Sequence, residues 1–138
     1  MTTPSELKPG IRWGRALVGA LLIEIGLSVV AVPFFAAGRM EMLLLVIPPA
    51  TLVVAAAAGW WAARRAERAL ATGVLTGLWA LVLYVLLAGT AILIAPDQVD
   101  MSQSLSASYL ASHAFKVIGA AFGGWWVARK RAGAPQAA

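Results

Sequence analysis

Four apolar blocks, each about twenty residues or longer, fill most of this chain, and basic residues crowd alternate ends of them. The blocks run from Trp13 to Ala37, Met42 to Ala63, Ala69 to Ala95 and Leu105 to Ala128. About 20 helical residues span the hydrocarbon core of a bilayer, so every block has the length to cross once. The connections Gly38–Glu41 and Arg64–Arg68 are too short for anything but antiparallel neighbours. The expectation is an all-α protein: a four-helix bundle integral to a membrane, one membrane domain over residues 1–138, with flexible tails at 1–9 and 133–138. Water is the wrong solvent for such a surface, since only 12% of the residues are charged against about 25% in soluble domains.

Orientation follows from the basic residues. Lys8, Arg12, Arg15, Arg64, Arg65, Arg68, Arg129, Lys130 and Arg131 fall on one side, and Arg39 alone falls on the other, with Glu41, Asp97 and Asp100. The positive-inside rule then puts both termini on the cytoplasmic side. Trp13, Trp60, Trp61, Trp125 and Trp126 sit beside the basic clusters as interface anchors. Because the cations flank apolar spans instead of lining a groove, their counter-charge is anionic lipid headgroups and not nucleic acid. The first block reads as a span, not a cleaved leader: it is longer than the usual apolar run of a signal peptide and contains Glu24.

The chain carries an internal echo. Gly59-Trp60-Trp61-Ala62-Ala63-Arg64-Arg65 parallels Gly124-Trp125-Trp126-Val127-Ala128-Arg129-Lys130, and Arg15-Ala16-Leu17 parallels Arg68-Ala69-Leu70. Two helical-hairpin repeats running parallel explain this, and so does a shared need for a Trp-Arg anchor at one interface. Small residues also recur at helical spacing, with Gly59, Gly73, Gly77, Gly119 and Gly123 at their centres. In lipid, where hydrophobic drive between helices is weak, such stripes let backbones approach closely. They serve either bundle packing or a homo-oligomer contact. Trp79, opposite Gly77, is expected to face lipid or a partner subunit. Pro33, Pro48 and Pro49 fall in the outer halves, where each removes a backbone donor.

Two charges interrupt the apolar blocks. Glu24 lies about 18 Å of helix from Arg12, and Lys116 about 20 Å from Arg129, which places both at one depth inside the hydrocarbon. Each costs at least about 2.5–3.5 kcal/mol there unless paired. Thr51 reaches the same level, and Ser28, Tyr84 and His113 lie about a turn further out. These six form a candidate buried polar layer. It is either a fixed salt bridge that sets helix register, or an ion or substrate site in which Glu24 cycles a proton. Other chemistry is sparse: one His and no Cys exclude an ordinary zinc site, no cofactor motif is present, and no nucleophile–base set points to an enzyme. The pair Asp97 and Asp100 reads as solvated loop polarity ahead of a weak cation site, and Asp97 or Ser102 as a helix cap.

Two resemblances bear on function. Gly59, Ala63-Arg64-Arg65, Gly73 and Gly77 resemble the junction of spans two and three in small uncharacterised bacterial four-helix membrane proteins, which implies the architecture and a bacterial inner membrane, and no activity. Leu22-Ile23-Glu24-Ile25-Gly26 is similar to the first span of the small multidrug resistance transporters, where a first-span Glu binds protons and cationic drugs; only Glu24 carries over. This chain departs from that family in its greater length, its larger outer loop and Lys116. The expected function is thus a structural or accessory membrane protein, a subunit that packs on itself or on a larger assembly. The alternative is a proton-coupled transporter of an ion or small molecule using Glu24.

Overall fold

A computed structural model of the chain describes residues 10–94 and 107–133, with the backbone alone at 108 and 109. The tails at 1–9 and 134–138, the caps and cation site of the 95–106 connection and the Tyr109 side chain lie outside the described residues. The described residues form four α-helices: α1 (Trp13–Ala36), α2 (Met40–Ala63), α3 (Ala69–Ile94) and α4 (Ala107–Ala132). The turn after α1 explains why α2 begins two residues ahead of the expected Met42. Gly38 takes φ +63°, its N–H bonds Phe35 O at 3.1 Å and the Arg39 N–H bonds Phe34 O at 2.9 Å. This closes the helix with a left-handed glycine and reverses the chain at once. At the other end of the chain α4 runs past Ala128 to Ala132, carrying Arg129, Lys130 and Arg131 in its last turn, where cations oppose the negative end of the helix dipole.

The helices form a membrane-type bundle of two hairpins, α1–α2 and α3–α4, aligned in the same direction. Gly19 approaches Ala62 and Gly26 approaches Val54, while Gly73 approaches Gly124 and Gly77 approaches Val117. In each hairpin rising numbers meet falling ones. α2 and α4 share the most extensive interface, and α1 and α4 scarcely meet. Going round the bundle, the order is α1, α2, α4, α3. The short 64–68 turn therefore makes α2 and α3 antiparallel, as expected, but not closest neighbours. Gly59 of α2 and Gly73 and Gly77 of α3 all press on the Lys116–Gly124 stretch of α4, which wedges between them.

The interior is made of small residues. Ala20, Ile23, Ala55, Ala58, Ala80 and Ala120 form the central cluster. The large apolar side chains point outward instead: on α4 the exposed face is Leu110, Ile118, Phe122, Trp125 and Trp126, while Ser112, Lys116, Gly119, Ala120 and Gly123 are buried. A polar interior under an apolar coat is the arrangement lipid favours. Three helices, α1, α2 and α3, are long and apolar enough to cross a membrane. Of the four expected spans α4 is the least apolar, because Ser112, His113 and Lys116 dilute it. Its 26 residues still measure about 39 Å.

Trp79 corrects a second expectation. It packs with Leu27 and Leu83 against the central cluster, and its Nε1–H is buried without a hydrogen-bond partner among the described residues. Its helix is flanked on both sides: Gly77 turns to α4, so the opposite face meets α1 and not lipid.

Candidate functional site

The two charged residues in the apolar layer find each other across the bundle. Lys116 Nζ donates to Glu24 Oε1 at 2.5 Å, with the lysine side chain 3% and the glutamate side chain 15% exposed. The pair joins α1 to α4, the two helices that scarcely meet. What makes the reach possible is the backbone of α4, drawn inward where Gly77 of α3 lies against Lys116 O and the Cα of Val117. The lysine stem then spans the centre. No other ion pair occurs among the described residues.

Around this pair the six residues of the expected layer divide into two groups. Tyr84 joins it directly: Lys116 Nζ lies 4.9 Å from the ring centroid, within range of a cation–π attraction. His113 stacks on the same tyrosine, its ring 4.2 Å away and tilted by 46°. Thr51 and Ser28 do not join. The Thr51 hydroxyl, fully buried, donates to Ile47 O at 2.7 Å in its own helix, and the Ser28 hydroxyl donates to Glu24 O at 2.8 Å. Short hydroxyl side chains on a helix satisfy themselves one turn back, so level alone did not bring them to the charge.

Glu24 also has an outward side. Together with Leu21, Ile25, Ser28, Val29, Val32 and Pro33 of α1 and Leu87 of α3 it lines an open groove of about 510 Å³ on the bundle surface. Apart from Glu24 and Ser28 the lining is apolar. No group of three or more metal-ligating side chains occurs among the described residues.

The glycines predicted to pack helices all touch the chain's own backbone. A Cβ at Gly59 would overlap Ala120, one at Gly73 would meet Ala120 and Gly124, one at Gly77 would meet Val117, one at Gly119 would meet Leu52, and one at Gly123 would overlap Ala56. The tryptophan anchors carry the basic residues over their faces: Arg64 over Trp60 at 5.4 Å, Arg15 over Trp61 at 4.3 Å, Arg129 over Trp125 at 5.1 Å and Lys130 over Trp126 at 5.3 Å. Trp13 is exposed.

Two residues counted in the sequence only as orientation signals prove to be ties between helices. Arg15 of α1 donates to Ala62 O at 3.2 Å and to Trp61 O at 2.5 Å. Arg131 of α4 donates to Ala66 O at 2.5 Å, Ala63 O at 3.4 Å and Arg64 O at 2.7 Å. Carbonyls of the last turn of α2, which have no partner within the helix, are thus closed by Arg15, and those of the turn that follows it by Arg131. The available signal was Arg15 itself, a charge set two residues inside an apolar block.

No protein-family model, curated protein or solved structure is significantly similar to this chain.

Proposed function

We propose that this chain is a structural or accessory protein of a bacterial inner membrane, with its basic end in the cytoplasm, where it packs as a compact bundle available to a larger membrane assembly. The observation that carries this reading is the closed 2.5 Å contact between Glu24 and Lys116. A glutamate held against a lysine deep in the bundle is a register-fixing bridge, and a cationic partner opposes proton cycling. The nine-to-one distribution of basic residues supports the orientation.

The experiment replaces both charges at once. Glu24→Gln with Lys116→Met leaves a neutral pair; a fixed bridge predicts that the double variant inserts, folds and keeps every phenotype of the native gene. Loss of a phenotype in a well-folded double variant rejects the reading. For orientation the cysteine-free sequence is convenient: Arg65→Cys is expected to react with an impermeant thiol reagent only from inside vesicles, and Arg39→Cys only from outside.

One observation favours the second reading, a proton-coupled carrier of an ion or small molecule. Glu24 borders the open groove beside Leu87, so its carboxylate is within reach of a ligand that enters from the lipid. Proton flux in liposomes that is abolished by Glu24→Gln establishes that reading.

A further inference from the structure

The cations at the basic end are arranged differently at the two hairpins. At the α1–α2 corner the Arg15 and Arg64 guanidinium groups both lie over the Trp61 ring, at 4.3 and 6.0 Å, and the charges of Arg12, Arg64 and Arg65 all bear on Arg15. At the α3–α4 corner Arg129 and Lys130 each lie over a tryptophan of their own, Trp125 at 5.1 Å and Trp126 at 5.3 Å. Arg15 is committed to the carbonyls of Trp61 and Ala62. Glu67 is the sole carboxylate at this end among the described residues, and its Oε2 accepts the Gly10 N–H at 2.9 Å. Arg64 and Arg65 are exposed, and so is Trp60, while Trp61 is half-buried beneath Arg15 and Arg64. Four like charges are thus gathered at the rim of an apolar bundle, two of them with aromatic faces directly below, a setting for an anion that carries an apolar tail.

We propose that the α1–α2 corner is a binding site for one anionic phospholipid, its phosphate held by Arg12, Arg64 and Arg65 and its glycerol and upper acyl chains lying along Trp60 and Trp61. Arginine suits the task because its planar fork contacts phosphate oxygens two at a time. Arg15 acts as a positioning residue: it fixes the C-terminus of α2, from which Arg64 and Arg65 project. The lipid's charge relieves the repulsion within the cluster. The site rests on the placement of the basic end in the headgroup layer and is independent of the role of the Glu24–Lys116 bridge.

The test is native mass spectrometry of the detergent-solubilised full chain with phosphatidylglycerol and phosphatidylcholine of matched acyl chains. One phosphatidylglycerol is expected to remain bound under activation that strips phosphatidylcholine. With all three arginines changed (Arg12→Gln, Arg64→Gln, Arg65→Gln), affinity for phosphatidylglycerol is expected to fall by roughly a hundredfold, whereas Arg129→Gln with Lys130→Gln leaves it within about twofold. Should the triple variant fail to fold by circular dichroism, the exposed pair Arg64→Gln and Arg65→Gln gives the same answer with about a tenfold loss. Equal losses at both corners mean undirected charge attraction and overturn the site, as does no loss at either. Displacement of the lipid by millimolar inorganic phosphate overturns it in favour of a soluble anion. None of these outcomes depends on sidedness, which thiol labelling of the Arg65→Cys and Arg39→Cys variants reads separately.

Discussion

The half of the bundle nearest the basic end and the half furthest from it are built from similar amino acids and hold together by different means. Near the basic end helix backbones touch through Gly59, Gly73, Gly119, Gly123 and Gly124, and Arg15 and Arg131 tie α1 and α4 to the end of α2. Toward the far end the side chains splay outward: Val29, Val32 and Phe35 on α1 and Val85, Leu86, Leu93 and Ile94 on α3 are all more than half exposed. Gly89, the glycine of outer α3, has nothing near the place a Cβ would occupy. Hydrophobicity is plentiful in both halves, so it is not what distinguishes them. In lipid, packing comes from close approach of backbones and from satisfied polar groups, and only one half has both. The Glu24–Lys116 bridge lies at the boundary.

A large side chain placed at a backbone contact tests this contrast most severely. Gly59→Leu drives atoms into the Ala120 backbone and is expected to cost well over 3 kcal/mol, more than ordinary overpacking of about 1–3 kcal/mol; Gly89→Leu in the far half stays within about 0.5 kcal/mol. Reversible unfolding in mixed detergent micelles compares the two, and equal losses would show that both halves are packed alike. Next comes the boundary. Lys116→Met alone leaves a buried carboxylate without its partner and is expected to lower stability by about 3–5 kcal/mol, most of which returns in the double variant with Glu24→Gln. A double-mutant cycle giving no coupling refutes the bridge. Arg131→Ala strips three carbonyls of a charged donor and is expected to cost about 1.5–3 kcal/mol, with faster proteolysis at the 64–68 turn. The smallest effect is expected at Leu93→Ala, within about 0.5 kcal/mol in detergent, because that side chain is almost wholly exposed and has little packing to lose.

Much of the candidate site could be read from the sequence because depth is a one-dimensional quantity. Counting 1.5 Å per residue inward from Arg12 and from Arg129 was enough to put Glu24 and Lys116 at one level, and they meet. The same count put Thr51 at that level and could not see that its hydroxyl turns to Ile47 O. Azimuth, not depth, decides partnership, and azimuth depends on which helix sits beside which. Trp79 went astray for the same reason: the face opposite Gly77 was read as free surface before α1 was known to cover it.

That this chain belongs in a membrane, that it forms four helices, and which ends of them carry positive charge all follow from the order of its amino acids. Those properties are sums over one segment, and the segment holds all the terms. Three others waited for the folded arrangement: α4 wedges between α2 and α3, a salt bridge crosses between the two helices furthest apart, and Arg15 and Arg131 close carbonyls at the end of α2 and in the turn after it. In helices apolar on nearly every side, hydrophobic periodicity cannot single out an inward face. The choice falls to where a glycine lets two backbones meet and where a charge or a carbonyl finds its partner, and those are properties of pairs of helices.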